Sequence, residues 1–199
     1  MEDSNYNIGL TNAIQHALYS YDENLVIEPI VNRATKYIDK IELKLHLKDD
    51  HHHFASIFVE ISYGGRWGST NAGITIYGKM TLPETLNFNI GNYGFERHMI
   101  KYEKLNPIVT VTRMSTISRS HVKPVMSEKS TAEIKFEIYE KTISDKFADG
   151  FSTISPYSFE QYAEIGKSVI PCVNAFRDIL NQVKLDDLHL EKPRPLGSM

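Results

Sequence analysis

Between Thr131 and Glu140 the chain alternates residue by residue, with Ala132, Ile134, Phe136 and Ile138 interleaved with Glu133, Lys135, Glu137 and Tyr139. A two-residue period turns every apolar group to one side of an extended backbone, whereas a helix would scatter them around its circumference. The run therefore predicts a strand with one dry and one wet face, the pattern of an antiparallel sheet.

The same period recurs upstream. Ile41, Leu43, Leu45 and Leu47 alternate with Glu42, Lys44, His46 and Lys48, and after Asp49 and Asp50 the span from Phe54 to Tyr63 returns as a second strand. Its second set, Phe54, Ser56, Phe58, Glu60 and Ser62, is partly apolar, so that face is expected to be partly covered. Ile74, Ile76, Met80 and Leu82 predict another strand, with Gly78 at a bulge, and Leu86, Phe88 and Ile90 a short one before the turn at Gly91 to Gly94. Glu96 to Leu105 fits a helix or an irregular strand, and Ile108 to Met114 resumes the strand pattern. The polar span from Ser115 to Ser130 reads as a long loop that could meet a partner, because most connections in compact domains are shorter.

Helical spacing marks both ends of the chain. A first helix is expected from about Leu10 to Ser20, and a second from Leu25 to Asp39. In the second, Ile27, Ile30, Val31, Ala34, Tyr37, Ile38 and Ile41 recur at three- and four-residue intervals and Pro29 suits the opening turn. Ser155 and Pro156 would open a closing helix carrying Phe159, Tyr162, Ile165, Val169, Val173, Phe176 and Ile179, either kinked or divided at Pro171. The predicted fold class is α+β: a predominantly antiparallel sheet of five to seven strands, preceded by N-terminal helices and closed by a C-terminal helical segment. Glycines at Gly78 and in the 64–73 loop would allow it to curve into a half-barrel.

The chain has 199 residues, 41% of them hydrophobic, which suffices for one core. The expected organisation is a flexible start over residues 1–8, a single domain over 9–190 and a flexible tail over 191–199. A formal charge of -3 gives no general attraction to a polyanion and argues against nucleic-acid binding, although residues 97–129 carry seven basic against two acidic residues. Cys172 is the only cysteine, which excludes an internal disulfide. With neither a leader pattern nor a run of about 20 apolar residues, the expectation is a cytoplasmic protein without a membrane partner.

Chemistry is harder to find. The glycine-rich loop from Gly64 to Gly73 holds Arg66, Trp67 and Asn71, suited to grip an anion and stack on a ring or peptide, but the Walker and dinucleotide spacings are absent. Arg97, Arg113, Arg119 and His121, with His98, would form an anion site if their loops converged. His51, His52 and His53 read as a solvated turn, because consecutive strand residues point apart. No metal site and no cofactor is expected, although His46 could approach across the hairpin. Glu60, Glu133, Glu137 and Glu140 occupy wet positions, and Cys172 sits in an apolar helix, a poor setting for a thiolate.

Without a complete catalytic set, the favoured reading is a nonenzymatic protein–protein interaction or assembly protein. Its partner is a second protein or a further copy of the chain, and the contacts are exposed strand edges, the Trp67 loop or the 115–130 span. The alternatives are a small-ligand hydrolase or phosphate-processing enzyme built on Arg97, Arg113 and His121, and a small-molecule-binding half-barrel with Trp67 at its mouth.

Overall fold

A computed structural model describes residues 5–35, 38–48, 50–63, 72–83, 99–119, 124–143 and 157–190. Helix α1, Asn5–Tyr21, leads into strands β1 Leu25–Thr35, β2 Ile38–Leu47, β3 Asp50–Tyr63 and β4 Ala72–Pro83. A single 3-10 turn, Glu103–Leu105, precedes β5 Pro107–Arg119 and β6 Pro124–Ile143, and helices α2 Phe159–Ser168 and α3 Ile170–Leu190 follow. The strands form one six-stranded sheet in the order β1-β2-β3-β4-β6-β5, antiparallel at every pairing. The connection from β4 to β5 thus skips a position, so β6 lies inside and, among the described residues, β5 forms the edge.

The two-residue pattern does what it predicts. Leu43 and Leu45 of β2, Ile57, Val59 and Ile61 of β3, Ile74, Ile76, Met80 and Leu82 of β4, and Ala132, Ile134 and Phe136 of β6 are buried. Leu10, Ile14 and Leu18 of α1, one turn apart, and Cys172, Val173, Phe176 and Ile179 of α3 complete the same core. At about 1.5–3 kcal/mol for each large apolar side chain fully removed from water, this face dominates stability.

Residues 25–35 are a strand, not the expected helix. Their apolar spacing fits both periods, and β-branched Val26, Ile27, Ile30 and Val31 favour the extended backbone. The register from Leu25↔Leu47 to Arg33↔Asp39 settles it: Leu25 and Ile27 are buried while Val26 and Glu28 are exposed. Pro29 is accommodated because β1 is an edge strand, where a missing N–H turned outward breaks no ladder bond. Among the described residues there is accordingly one N-terminal helix. The short strand expected at Leu86 to Ile90 and the Ser155–Pro156 start lie outside the described residues.

Gly78 does not make a bulge. The register shifts between Ile76↔Tyr139 and Tyr77↔Glu137, so Ile138 of β6 is the extra residue, while Gly78 pairs regularly with Phe136. The bulge carries Tyr139 to the helix-facing side opposite Ile76, where its hydroxyl lies 3.2 Å from that of Tyr157. Gly78 instead gives α3 room: a methyl group there would fall 2.3 Å from Cys172 Sγ. Likewise Gly166 of α2 brings that helix against α1, where a Cβ would sit 2.5 Å from the Ala13 carbonyl oxygen.

The closing segment is two helices. Ser158 caps α2, its hydroxyl accepting from the Gln161 backbone N–H at 3.3 Å while the Gln161 side chain accepts from the Ser158 N–H at 2.8 Å. Buried Val169 ends α2, and Pro171 stands in the first turn of α3, where its missing N–H is least costly.

Candidate interaction surface

On the sheet face opposite the helices, three lysines are each paired with a glutamate. Lys40 of β2 donates to the Tyr77 hydroxyl at 2.6 Å, lies 3.6 Å from Glu60 and sits 4.6 Å above the Phe58 ring. Phe58 and Tyr77 stack at 4.9 Å. Burial alone would lower the Lys40 ammonium, but the Tyr77 hydroxyl and Glu60 carboxylate outweigh it and hold its pKa above lysine's ordinary value. Lys79 meets Glu133 at 2.5 Å and Lys135 meets Glu137 at 3.2 Å. Glu60, Glu133 and Glu137 are therefore partnered by lysines instead of one another, an arrangement without the carboxylate pair that acid–base catalysis would use.

A shallow groove of about 590 Å³ runs along α3, lined by Tyr102, Pro171, Asn174, Ala175, Arg177, Asp178 and Asn181. Its polar groups act as struts. Tyr102 donates to Asp178 at 2.6 Å, Tyr21 donates to Asn174 at 2.9 Å, and Arg177 is ion-paired with Asp22. Burial first, and then the Asp178 carboxylate, push the Tyr102 phenol well above its ordinary range, so it stays neutral and donating. These bonds tie the end of α1 and the turn before β5 to α3. They supply neither a nucleophile nor a base aimed at open space. Cys172 is fully inside, and burial raises its thiol far from thiolate reactivity.

The histidines lie within β3 rather than in a turn, because that strand begins at Asp50. Exposed His53 places its ring 6.2 Å from that of His46, which in turn lies 3.5 Å from Glu28, so the cross-hairpin approach occurs. Among the described residues no group of three or more His, Cys, Asp or Glu side chains is placed to hold a metal ion. Among them, too, no helix is long and apolar enough to cross a membrane.

Arg66, Trp67, Asn71, Arg97 and His121 lie outside the described residues. Arg113 and Arg119 both fall on β5, at register positions opposite Ser130 and Pro124. Together β5 and β6 cover what reads as a loop from Ser115 to Ser130, apart from residues 120–123, which lie outside the described residues. The register of β5 with β6 runs without a break from Pro107↔Phe136 to Arg119↔Pro124, whereas β4 stops at Pro83↔Thr131. The seven pairs from Arg113↔Ser130 to Arg119↔Pro124 therefore extend past the end of β4 as a two-stranded arm, with no third strand beside it among the described residues. At about 3.3 Å per residue, the arm is roughly 20 Å long. Sequence reasoning missed it because serine and threonine occupy both alternating sets, so no dry face announces a strand. The β-branched Thr116, Ile117 and Val125 were the available signal.

Nearer the body, the β5 edge leaves apolar surface open. Val109 faces the core side opposite fully buried Ile134, yet is 37% exposed. Its neighbour Ile108, on the other face, is 45% exposed. In comparisons with known proteins, no family model matches the chain, and neither a curated protein nor a solved structure matches it.

Proposed function

We propose that the protein is a nonenzymatic interaction and assembly protein whose contact element is the β5 edge with its projecting β5–β6 arm. The observation that carries this reading is the arm itself. A two-stranded ribbon in water is marginal, because it has no surface on which to bury a face and leaves one row of backbone groups on each strand without a partner. A partner lying along β5 would pair with the open row of backbone groups on that strand and, nearer the body, cover Ile108 and Val109. The engaged side chains of the α3 groove and the pairing of Glu60, Glu133 and Glu137 with lysines on the open sheet face favour this over the hydrolase alternative, which still requires Arg97, Arg113 and His121 to converge.

The test compares the full chain with a variant in which residues 114–129 are replaced by Asn-Gly, a two-residue turn suited to a hairpin. Each is followed by size-exclusion chromatography of native extract and detected with an antibody. The full chain is expected to elute in a complex larger than its monomer, and the shortened chain as a folded monomer. A full chain that elutes as a monomer, or a complex that survives arm removal, would overturn the proposal.

A further inference from the structure

Resting on that reading, we infer that the partner of β5 is β5 of a second copy, the two strands joining antiparallel about a two-fold axis at Val111. The sheets of the two copies, six strands each, then become one continuous sheet of twelve.

The two edges of the sheet are not alike. Natural sheets protect an open edge with proline, charge or a bulge. The β1 edge has all three: Pro29 within the strand, Glu28 and Arg33 along it, and a register break between Arg33 and Thr35. In β5 the only proline is at its first residue, its register is unbroken, and from Ile108 to Thr112 it reads Ile-Val-Thr-Val-Thr without a charge. Ile108 and Val109 are open on opposite faces, so a partner strand at this edge would cover both.

The strand is also complementary to itself in one register. Centred on Val111, the two-fold places Val111 against Val111, Thr110 against Thr112, Ile108 against Met114 and Val109 against Arg113 of the second copy. Apolar positions meet apolar positions in two of these pairings, and the two copies of Arg113 stand four positions apart along the ribbon, roughly 13 Å. Centring on Arg113 would set like charges face to face, and centring on Thr112 would put Ile108 against Thr116 and Val111 against Arg113. Beyond the nine paired residues from Pro107 to Ser115, each arm continues past the start of β5 in the other copy.

The register gives a charge test that leaves the fold intact, because Thr110 and Thr112 are both exposed in the single chain. Sedimentation equilibrium of the purified full chain is expected to show a dimer. Thr110→Lys brings two lysines to diagonal positions across the axis and should raise the dimer dissociation constant about tenfold or more. Adding Thr112→Glu in the same chain sets each lysine opposite a glutamate and should restore dimerisation, with circular dichroism unchanged throughout. A purified chain that is monomeric at every concentration overturns self-pairing. If it still enters an arm-dependent complex in extract, the interaction reading stands with a different partner. A dimer indifferent to Thr110→Lys, or one that the double variant fails to rescue, overturns the Val111 register.

Discussion

Gly78 is where the account of the core is most exposed to failure. Alanine there would carry a Cβ 2.3 Å from Cys172 Sγ and 2.8 Å from Phe176 Cε2, both of which are buried and held by α3. Comfortable contact between non-bonded carbons is about 3.5–4.0 Å, so the helix must retreat by on the order of 1 Å or the two side chains must leave their packed positions. Overpacking of this kind costs about 1–3 kcal/mol. Replacing glycine inside a strand returns roughly 0.5–1 kcal/mol through the unfolded chain. The net expectation for Gly78→Ala is a loss of up to about 2.5 kcal/mol, centred near 1, read as a lower urea midpoint with unchanged slope. Cys172→Ala removes the nearer obstacle, so the double variant should lose less than the sum of the two single losses by at least about 0.5 kcal/mol. A stabilising Gly78→Ala, or strict additivity with Cys172→Ala, would refute the close approach of α3 to β4.

Other substitutions probe separate joints. Gly166→Ala would press a Cβ 2.5 Å from the Ala13 carbonyl oxygen, and since backbone cannot swing aside, thermal unfolding should fall despite alanine's better helix propensity. Ser158→Ala removes a cap and should cost about 1 kcal/mol in denaturant melts. Lys40 and Tyr102 both have folded-state pKa values raised above their ordinary 10.5 and 10.0. Their contributions are therefore complete below those values and are lost as pH climbs through the raised ones. Tyr102→Phe should accordingly flatten the decline in stability above pH 10, measured by urea titration across the alkaline range.

The sheet was largely legible because one wet face leaves a period of two wherever charged residues mark it, as Glu42, Lys44, Glu133 and Lys135 do. Residues 25–35 misled because their apolar positions satisfy two periods, and only pairing with β2 decides between them. The residues from Ser115 to Ser130 misled for the opposite reason, with polar groups on both alternating sets and an extended form evident only from the partner strand. Gly78 carried a real signal whose cause, an approaching helix 94 positions further on, cannot be read locally. Arg113 and Arg119 stand out in the sequence for their charge, whereas the strand that bears them shows only in its pairing with β6. The struts Tyr102–Asp178 and Arg177–Asp22 join distant segments with no pattern in between.

Pairing of β5 with a second copy can be followed by amide hydrogen exchange, residue by residue, at low and high protein concentration. Outward amides between Pro107 and Ser115 are expected to exchange quickly in dilute protein and become protected as concentration rises, while β3 and β4 stay protected throughout. Amides along β5 as slow as those of β3 in the most dilute sample, or fast at every concentration, would contradict that pairing.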